Sequence, residues 1–531
     1  MAKSFRQSQT FLHTWSGLLL GWLLFLVFIT GTIAFYREGV NRWMHPEMAR
    51  VEQPYQLLDK TQHYLEKHAP DAMSWFITMP NRNDAGSFTF WTPQPDSPDA
   101  TGYWLDNSAR IGSNTDPAHL RPSRGGEFFY RFHFDLHYMP VIWARWLVGL
   151  AAMMMLVAIC SGVVAHKKIF KDFFTFRRHK GQRTWLDGHN ATAVLALPFH
   201  LMITYTGLVT LMAMLMPWAI VANYENTRAI QNELFPSADG VEPTGKRMDM
   251  VPLSTLVHDA EEKLGMKAGT LMISNPGDEM ARVTIRISGA EQLDSRTPSI
   301  VYNAVTGREI WRSPPPGGAA VTTGAMIGLH AARFSGETLR FLYFLAGVAG
   351  TIMVGSGLIM WTVKRREKLP DPTRPHFGFH LVERLNVATI AGFSLGIAAM
   401  FWANRLLPAD LANRADTEIN WLFISWGISA LLALALRPKW SWTVLFGLTG
   451  AALFTLPFYN ILADMNGLPS TIAAGDWVLA GIDISLLVFG MAAIAIALRI
   501  ARYRPPERRR RALRNKGKTP VPETLAPEPA E

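Results

Sequence analysis

HTWSGLLLGWLLFLVFITG, residues 13–31, and HNATAVLALPFHLMITYTG, residues 189–207, decide how this chain is read. Both open on a histidine and close on Thr-Gly at the same spacing, His13 to Thr30-Gly31 and His189 to Thr206-Gly207, with an apolar run between. A second pair of stretches matches in the same way. Leu136-His137 leads to Arg145 and Ser161-Gly162, and Leu329-His330 leads to Arg340 and Ser356-Gly357. The Arg-to-Gly spacing is identical, and only the loop between His and Arg differs, by two residues. The chain is therefore duplicated over roughly residues 10 to 365.

Working outward, 49% of the 531 residues are apolar and they are bunched into runs. A run of about 20 apolar residues spans a hydrocarbon core roughly 30 Å thick, because a helix rises about 1.5 Å per residue. Eight such runs are predicted, at 11–36, 141–164, 191–216, 338–363, 385–405, 419–436, 441–462 and 476–500. Tryptophans near run ends (Trp43, Trp143, Trp218, Trp361, Trp440) fit an interfacial belt. The first run is too long for a signal peptide and lacks a small-x-small cleavage site, so it reads as an uncleaved anchor. The expected fold class is a polytopic α-helical membrane protein of about eight spans, with two extramembrane α+β domains inserted in a tandem repeat.

The net charge of +10 lies in alternate connections rather than in one nucleic-acid-binding patch. Lys167, Lys168, Lys171, Arg177, Arg178, Lys180 and Arg183 form one cluster, Lys364, Arg365, Arg366 and Lys368 another, followed by Arg437 with Lys439 and by Arg508 to Arg511. All fall on one side if every run spans, which is the positive-inside pattern and puts both termini in the cytoplasm of a bacterial inner membrane. The domain plan is then 1–36, cytoplasmic N-terminus and first span; 37–140, periplasmic domain; 141–216, second and third spans around a basic loop; and 217–337, a second periplasmic domain. It continues with 338–363, fourth span; 364–384, cytoplasmic loop; 385–503, four further spans; and 504–531, a polar tail expected to be disordered. The single cysteine, Cys160, lies within a run, which excludes intrachain disulfides and thiolate metal clusters.

Both extramembrane connections read as a helix followed by about three strands. In the second, Leu253 to Leu264 is amphipathic, and Thr270-Leu-Met-Ile-Ser274, Val283-Thr-Ile-Arg-Ile287 and the hairpin-like Val301 to Ile310 follow, with Gly307 where a tight turn needs positive φ. In the first, Leu57 to Lys67 is helical, and Trp75 to Thr78, Ser87 to Trp91 and Tyr103 to Gly112 are strand-like.

The repeat places histidines in matched couples. His13 and His189 lie at the cytoplasmic ends of their helices, and His137 and His330 at the periplasmic entrances of theirs. Two related helices that each bring one imidazole towards a twofold axis would hold one haem iron from both faces, and axial imidazoles set a haem's redox behaviour. Two couples, about 20 Å or more apart across a core near 30 Å, would carry electrons through the membrane. An isolated histidine at a membrane end is more often a simple interfacial residue; recurrence at fixed spacing, and the functional bias of ionisable groups near spans, favour ligands. His133, one turn before His137, is an alternative ligand. His200 breaks the repeat, since its counterpart is Leu24; it would ligate haem, hydrogen-bond a propionate or another helix, or fill a polar gap. Arg145 and Arg340 either snorkel to headgroups or pair with haem propionates or an anionic substrate. Gly31, Gly162, Gly207 and Gly357 give close helix approach or room for a flat macrocycle, packing being the commoner reason. Asp483, with Asp476 near the start of the same run, would relay protons or bind a cation, a buried structural hydrogen bond being the commoner reason.

Together these features resemble the PepSY-associated transmembrane helix family, also described as iron-regulated inner-membrane proteins. The resemblance rests on His13…Thr30-Gly31, on Leu329-His330…Arg340…Ser356-Gly357…Trp361 ending in Lys364-Arg365-Arg366, and on Tyr302 to Glu309, which is similar to the turn of a PepSY module. The stretch from His380 to Pro408 resembles the extension of longer members. The resemblance implies one or two haem b groups with His13, His189, His137 and His330 as ligands, and reduction of ferric siderophore to Fe(II) at the periplasmic face, because oxygen-rich chelators favour Fe(III). No pyridine-nucleotide loop is present, since the glycines around Gly347 to Gly357 lie inside a membrane run, so membrane quinol or a separate redox protein is the expected donor. Two other functions compete: a transporter for an iron complex or other solute, which would favour inverted repeats and midplane charges, and a non-catalytic regulator that binds a partner through its PepSY-like domains.

Overall fold

The computed structural model describes residues 4–48, 53–80, 87–97, 107–111, 120–166, 177, 182–226, 229–230, 236, 238, 240–371 and 374–504. The expected basic residues Lys167, Lys168, Lys171, Arg178, Lys180 and Arg508 to Arg511, half of Tyr103 to Gly112 and the tail after Arg504 lie outside the described residues.

The first half runs α1 (Phe5–Leu19), α2 (Gly21–Ala34), α3 (Arg37–Trp43), α4 (Pro54–His68), β1 (Ser74–Thr78), β2 (Ser87–Thr92), β3 (Ser108–Ile111), α5 (Gly125–Asp135) and α6 (Val141–Ala165). The second half repeats the plan with α7 (Gln182–Leu195), α8 (Leu197–Thr210), α9 (Leu253–Leu264), β4 (Ala268–Ser274), β5 (Arg282–Ile287), β6 (Ser299–Asn303), β7 (Glu309–Arg312), α10 (Gly318–Ala331) and α11 (Glu337–Arg366). An extension follows: α12 (Phe377–Val387), a π-helical turn (Ala388–Gly392), α13 (Phe393–Leu406), α14 (Arg414–Ala435), α15 (Pro438–Leu462) and α16 (Trp477–Arg502). Among the described residues six helices are long and apolar enough to cross a membrane, counting Phe377–Leu406 as one, and up to eight if each bent pair counts as a span. This is a multi-pass membrane protein.

The runs expected as straight spans at 11–36 and 191–216 are each broken. α1 and α2 meet at 66°, and α7 and α8 at 67°. The breaks fall at equivalent residues, Leu20 (φ −112, ψ 2) and Ala196 (φ −108, ψ 20), each outside helical geometry. In the second half Pro198 sits in the first turn of α8, where its missing N–H is tolerated and a new helix readily starts. The first half has no proline there. Gly21 opens α2 instead, with Leu358 so close that a Cβ would lie 2.7 Å from its Cδ2, so packing supplies the bend. The halves contact each other as a twofold repeat would: α1 packs on α6 and α7 on α11, α2 on α11 and α8 on α6, α5 on α2 and α10 on α8.

The two extramembrane connections, expected as separate domains, join in one sheet. Its order is β3-β2-β1-β4-β5-β6-β7, with every neighbouring pair antiparallel. The seam is β1 against β4, in register Ser74↔Ser274 through Thr78↔Thr270. Alternation along the strands explains the union. Trp75, Ile77, Leu271, Ile273, Val283, Ile285, Ile300 and Tyr302 point to one face, where α4 and α9 cover them with Leu58, Leu65, Leu253, Leu256 and Val257 in one core. Each such side chain is worth about 1.5–3 kcal/mol on full burial, and neither half alone can cover its seam strand. The opposite face, with Phe76, Thr78, Phe88, Phe90, Thr270 and Arg286, looks into a cavity.

The extension is fastened to the first half by buried polar groups. Trp43 Nε1 donates to Asp483 Oδ1 at 2.9 Å, Arg405 Nη2 to the Trp43 carbonyl at 2.8 Å, and Asn404 Nδ2 to the Met44 carbonyl at 3.1 Å. Arg414 and Glu418 form an ion pair at 3.0 Å with neither side chain exposed. Asn460 Nδ2 also donates to Asp483, which makes that carboxylate a structural acceptor between α3, α15 and α16. Where lipid replaces water, such polar contacts and small residues join helices in place of the hydrophobic effect.

Candidate functional site: two imidazole pairs

Four histidines are held in one repeated way. His13 Nδ1 lies 2.8 Å from the Ala158 carbonyl and His189 Nδ1 2.9 Å from that of Met353. His133 Nδ1 lies 2.7 Å from the Val27 carbonyl and His330 Nδ1 3.0 Å from that of Ile203. Each carbonyl sits four residues before one of the repeated glycines: Gly162, Gly357, Gly31 and Gly207. The same glycine lies under the ring. A Cβ would come 3.0 Å from His13 Cε1 at Gly162, 3.2 Å from His189 Cε1 at Gly357, 2.5 Å from His133 Cε1 at Gly31 and 2.9 Å from His330 Cε1 at Gly207.

The physical logic is local. An intrahelical carbonyl uses one lone pair for the N–H four residues on, here the glycine's, and keeps a second. Without a side chain on the glycine, a neighbouring helix's imidazole reaches that second lone pair. Donation from Nδ1–H fixes the tautomer and leaves the Nε2 lone pair free. In the second half the preceding hydroxyls also approach the ring: Thr206 Oγ1 is 3.2 Å from His330 Nδ1 and Ser356 Oγ 3.4 Å from His189 Nδ1.

The rings then converge in two couples. His13 and His189 have centroids 6.3 Å apart with planes at 70°. His133 and His330 have centroids 6.0 Å apart with planes at 37°. The second couple sits towards the sheet and is the sheet-side pair; the first is the far-side pair. His137, expected opposite His330, is elsewhere: its ring stacks on Phe423 at 5.3 Å and lies tilted against Tyr138 at 4.2 Å. The reason is geometric. α5 ends at Asp135, and Leu136 (φ 53) turns the chain out of the helix, so His133 on the last turns of α5 is the residue that faces Gly31.

His200 uses the same notch in a single copy. Its Nε2 is 3.3 Å from the Ala346 carbonyl, four residues before Gly350, and a Cβ on Gly350 would come 3.0 Å from that Nε2. The ring is fully buried and its Nδ1 has no hydrogen-bond partner. The first half places Leu24 and Met155 here, in an apolar cluster with Ala151 and Met353.

The sheet-side pair lines a cavity of about 2540 Å³ whose roof is the uncovered sheet face and whose deep end reaches Leu24, Phe28 and Phe199. That exceeds the roughly 300–1,000 Å³ of ordinary small-molecule pockets. Phe76 and Phe90 stack in the roof at 4.6 Å. Arg286 and Arg333 line the cavity as well. Lys267 is held by Glu261 at 2.7 Å and Tyr55 at 3.1 Å, and those two hydrogen bonds raise its pKa above the usual lysine range. Arg145 and Arg340 also line the cavity. The Arg145 guanidinium bonds Asp135 at 2.6 Å and lies over Phe134; Arg340 is buried, with Nη2 3.3 Å from the Ser335 carbonyl. The sequence gives no sign of the roof, because Phe76, Phe90 and Arg286 look like ordinary alternating strand residues.

A helical membrane core with duplicated halves, each contributing one imidazole to either pair, defines the class. Residues 10–364 match the PepSY-associated TM region family, and the chain belongs to that family. It is also similar to an uncharacterized protein of Pseudomonas aeruginosa, 26% identical over 381 residues that make up 68% of this chain and 92% of the relative.

Proposed function

We propose that the protein carries electrons across the bacterial inner membrane through haem b and reduces ferric siderophore at the periplasmic face. The observation that carries this reading is the spacing of the imidazole couples. A metal about 2 Å from each of two imidazole nitrogens needs ring centres about 6 Å apart, once the nitrogen-to-centre distance of about 1 Å is added on either side. The two couples stand at 6.3 and 6.0 Å. The donor set fits as well: neutral imidazoles, each oriented by a carbonyl and each with Nε2 left for a metal.

His13 with His189, and His133 with His330, would hold the two groups. Bound there, haem supplies one-electron chemistry at its iron. The chain's own residues do the rest. The carbonyl–glycine notches fix all four rings against helices of the repeat, so little rearrangement accompanies a change in charge. Arg340 and Arg145 line the same cavity as the sheet-side pair, each beside a carboxylate of the chain, Glu337 at 3.9 Å and Asp135 at 2.6 Å. The roof offers stacked phenyl rings with Arg286, and Arg333 adds a further positive charge, which suits a bulky anionic chelate brought close to His133 and His330. Lys364, Arg365 and Arg366 close α11, and Arg437 with Lys439 stand at the α14–α15 connection; basic residues at these helix ends support a cytoplasmic position for them and a periplasmic one for the sheet. Quinol or a separate protein would then supply electrons at the far-side pair.

The test uses detergent-purified protein, a water-soluble quinol and a ferric siderophore, with Fe(II) read by a ferrous-specific chelator. Fe(II) should appear with wild type and fall at least tenfold with His330→Ala. Equal rates in the two, or no Fe(II) from haem-loaded wild type, would overturn the reading.

A further inference from the structure

The helix that presents His330 is seated on a loop of the sheet. The segment between β5 and β6, residues 288–298, crosses α10 at Gly324 and Gly328. A Cβ at Gly324 would overlap the Asp294 carboxylate, and a Cβ at Gly328 would overlap the Leu293 carbonyl. Ser295 N donates to the Gly324 carbonyl at 3.0 Å. The loop is folded for this contact: Asp294 Oδ1 accepts from Arg296 N at 2.9 Å, Asp294 Oδ2 from Arg296 Nη2 at 2.7 Å, and Gln292 Nε2 donates to the carbonyls of Asp294 and Arg296. Ala290, Glu291, Leu293, Ser295 and Thr297 of the same loop line the cavity, as do Gly328 and His330.

The equivalent helix of the first half is seated differently. α5 rests on α3, where a Cβ at Gly126 would overlap the Arg37 carbonyl and one at Gly125 would lie 2.5 Å from Asn41 Oδ1. α3 in turn is fastened to the extension through Trp43 and Met44. The two imidazoles of the sheet-side pair therefore hang on separate supports, one on α3 and the helical extension and one in the sheet.

We propose that the β5–β6 loop is the positioning element for His330, with Gly324, Gly328 and Asp294 as its positioning residues, so that a ligand beneath the sheet is coupled to the sheet-side imidazole pair and to no other. The proposal rests on the reading of that pair as a haem site. Its logic is steric. Backbone sits against Gly328, so an added methyl must lift either the loop or the helix, and His330 lies two residues further along the same helix. The loop reaches both the cavity and the helix.

The test compares Gly328→Ala and Asp294→Ala with wild type in detergent-purified holoprotein. Asp294→Ala unfolds the loop without adding bulk to α10, so it keeps the question open to measurement should Gly328→Ala fail to insert. Two signals are read: the low-spin haem component that disappears in His133→Ala, and amide hydrogen exchange across residues 325–332. Both variants should shift or lose that component while the one dependent on His13 and His189 stays unchanged, and exchange across 325–332 should rise at least tenfold. An unchanged sheet-side component with unchanged exchange, or equal loss of both haem components, overturns the proposal. Wild type without haem but with faster exchange in the variants would refute the haem reading and leave the seat standing.

Discussion

Gly31→Ala adds one methyl group where the structure holds an imidazole. The new Cβ would stand 2.5 Å from His133 Cε1, whereas carbon atoms rest at about 3.5–4.0 Å, so the ring must retreat by about 1 Å. It cannot do so freely, because Nδ1 is tied to the Val27 carbonyl of the same helix at 2.7 Å. Overpacking of this kind costs about 1–3 kcal/mol, which lowers affinity for a group held by that ring roughly 5- to 150-fold. The other notches form a graded series. A Cβ would stand 2.9 Å from His330 at Gly207, 3.0 Å from His13 at Gly162 and 3.2 Å from His189 at Gly357. Haem retained per protein after washing in detergent, read from absorbance, should therefore fall most for Gly31→Ala, less for Gly207→Ala and Gly162→Ala, and least for Gly357→Ala. Equal retention in all four variants, or greatest loss at Gly357, would refute the notch as the feature that places the rings.

Other predictions follow from the same geometry. His133→Ala should remove one haem component while His137→Ala leaves both in place, as judged by haem-to-protein ratio; the opposite result would restore His137 as the ligand. Arg414→Met strands the buried Glu418 carboxylate and should destabilise by about 3–5 kcal/mol, with most of the loss recovered in Arg414→Met/Glu418→Leu; a single variant that melts with wild type would contradict this. For Glu261, burial pushes the carboxyl up, but hydrogen bonds from Lys267, Tyr55 and Ala268 N outweigh it and hold the pKa below the usual range. A depressed carboxyl stabilises above its unfolded value of about 4.3 and loses that contribution as pH falls through the lower folded value. The drop in thermal midpoint between pH 7 and pH 3 should accordingly be smaller in Glu261→Gln, and an identical drop would refute the linkage.

The repeat was legible because it is written at constant offset: His13 and His189, Leu20 and Ala196, Gly31 and Gly207 are all 176 residues apart. His137 was the wrong partner for His330 for an equally plain reason. Counting back from the matched arginines, His330 lies ten residues before Arg340, His137 eight before Arg145 and His133 twelve. Spacing is neutral between the last two, and the shared Leu-His dipeptide favours His137. Only the turn at Leu136, a positive-φ residue with no glycine to announce it, decides against His137. The seam of β1 on β4 was illegible because pairing between strands 190 residues apart leaves no periodicity behind. The bend at Leu20 was likewise hidden, since its cause lies in Leu358 on another helix.

In the proposed function, imidazoles from the two halves meet across a metal. Electron paramagnetic resonance of the oxidised, detergent-purified protein tests it most directly. The expected result is red protein with two low-spin bis-imidazole components, one lost in His189→Ala and the other in His330→Ala. Colourless protein from haem-replete cells, or a high-spin signal unaffected by either substitution, would contradict it.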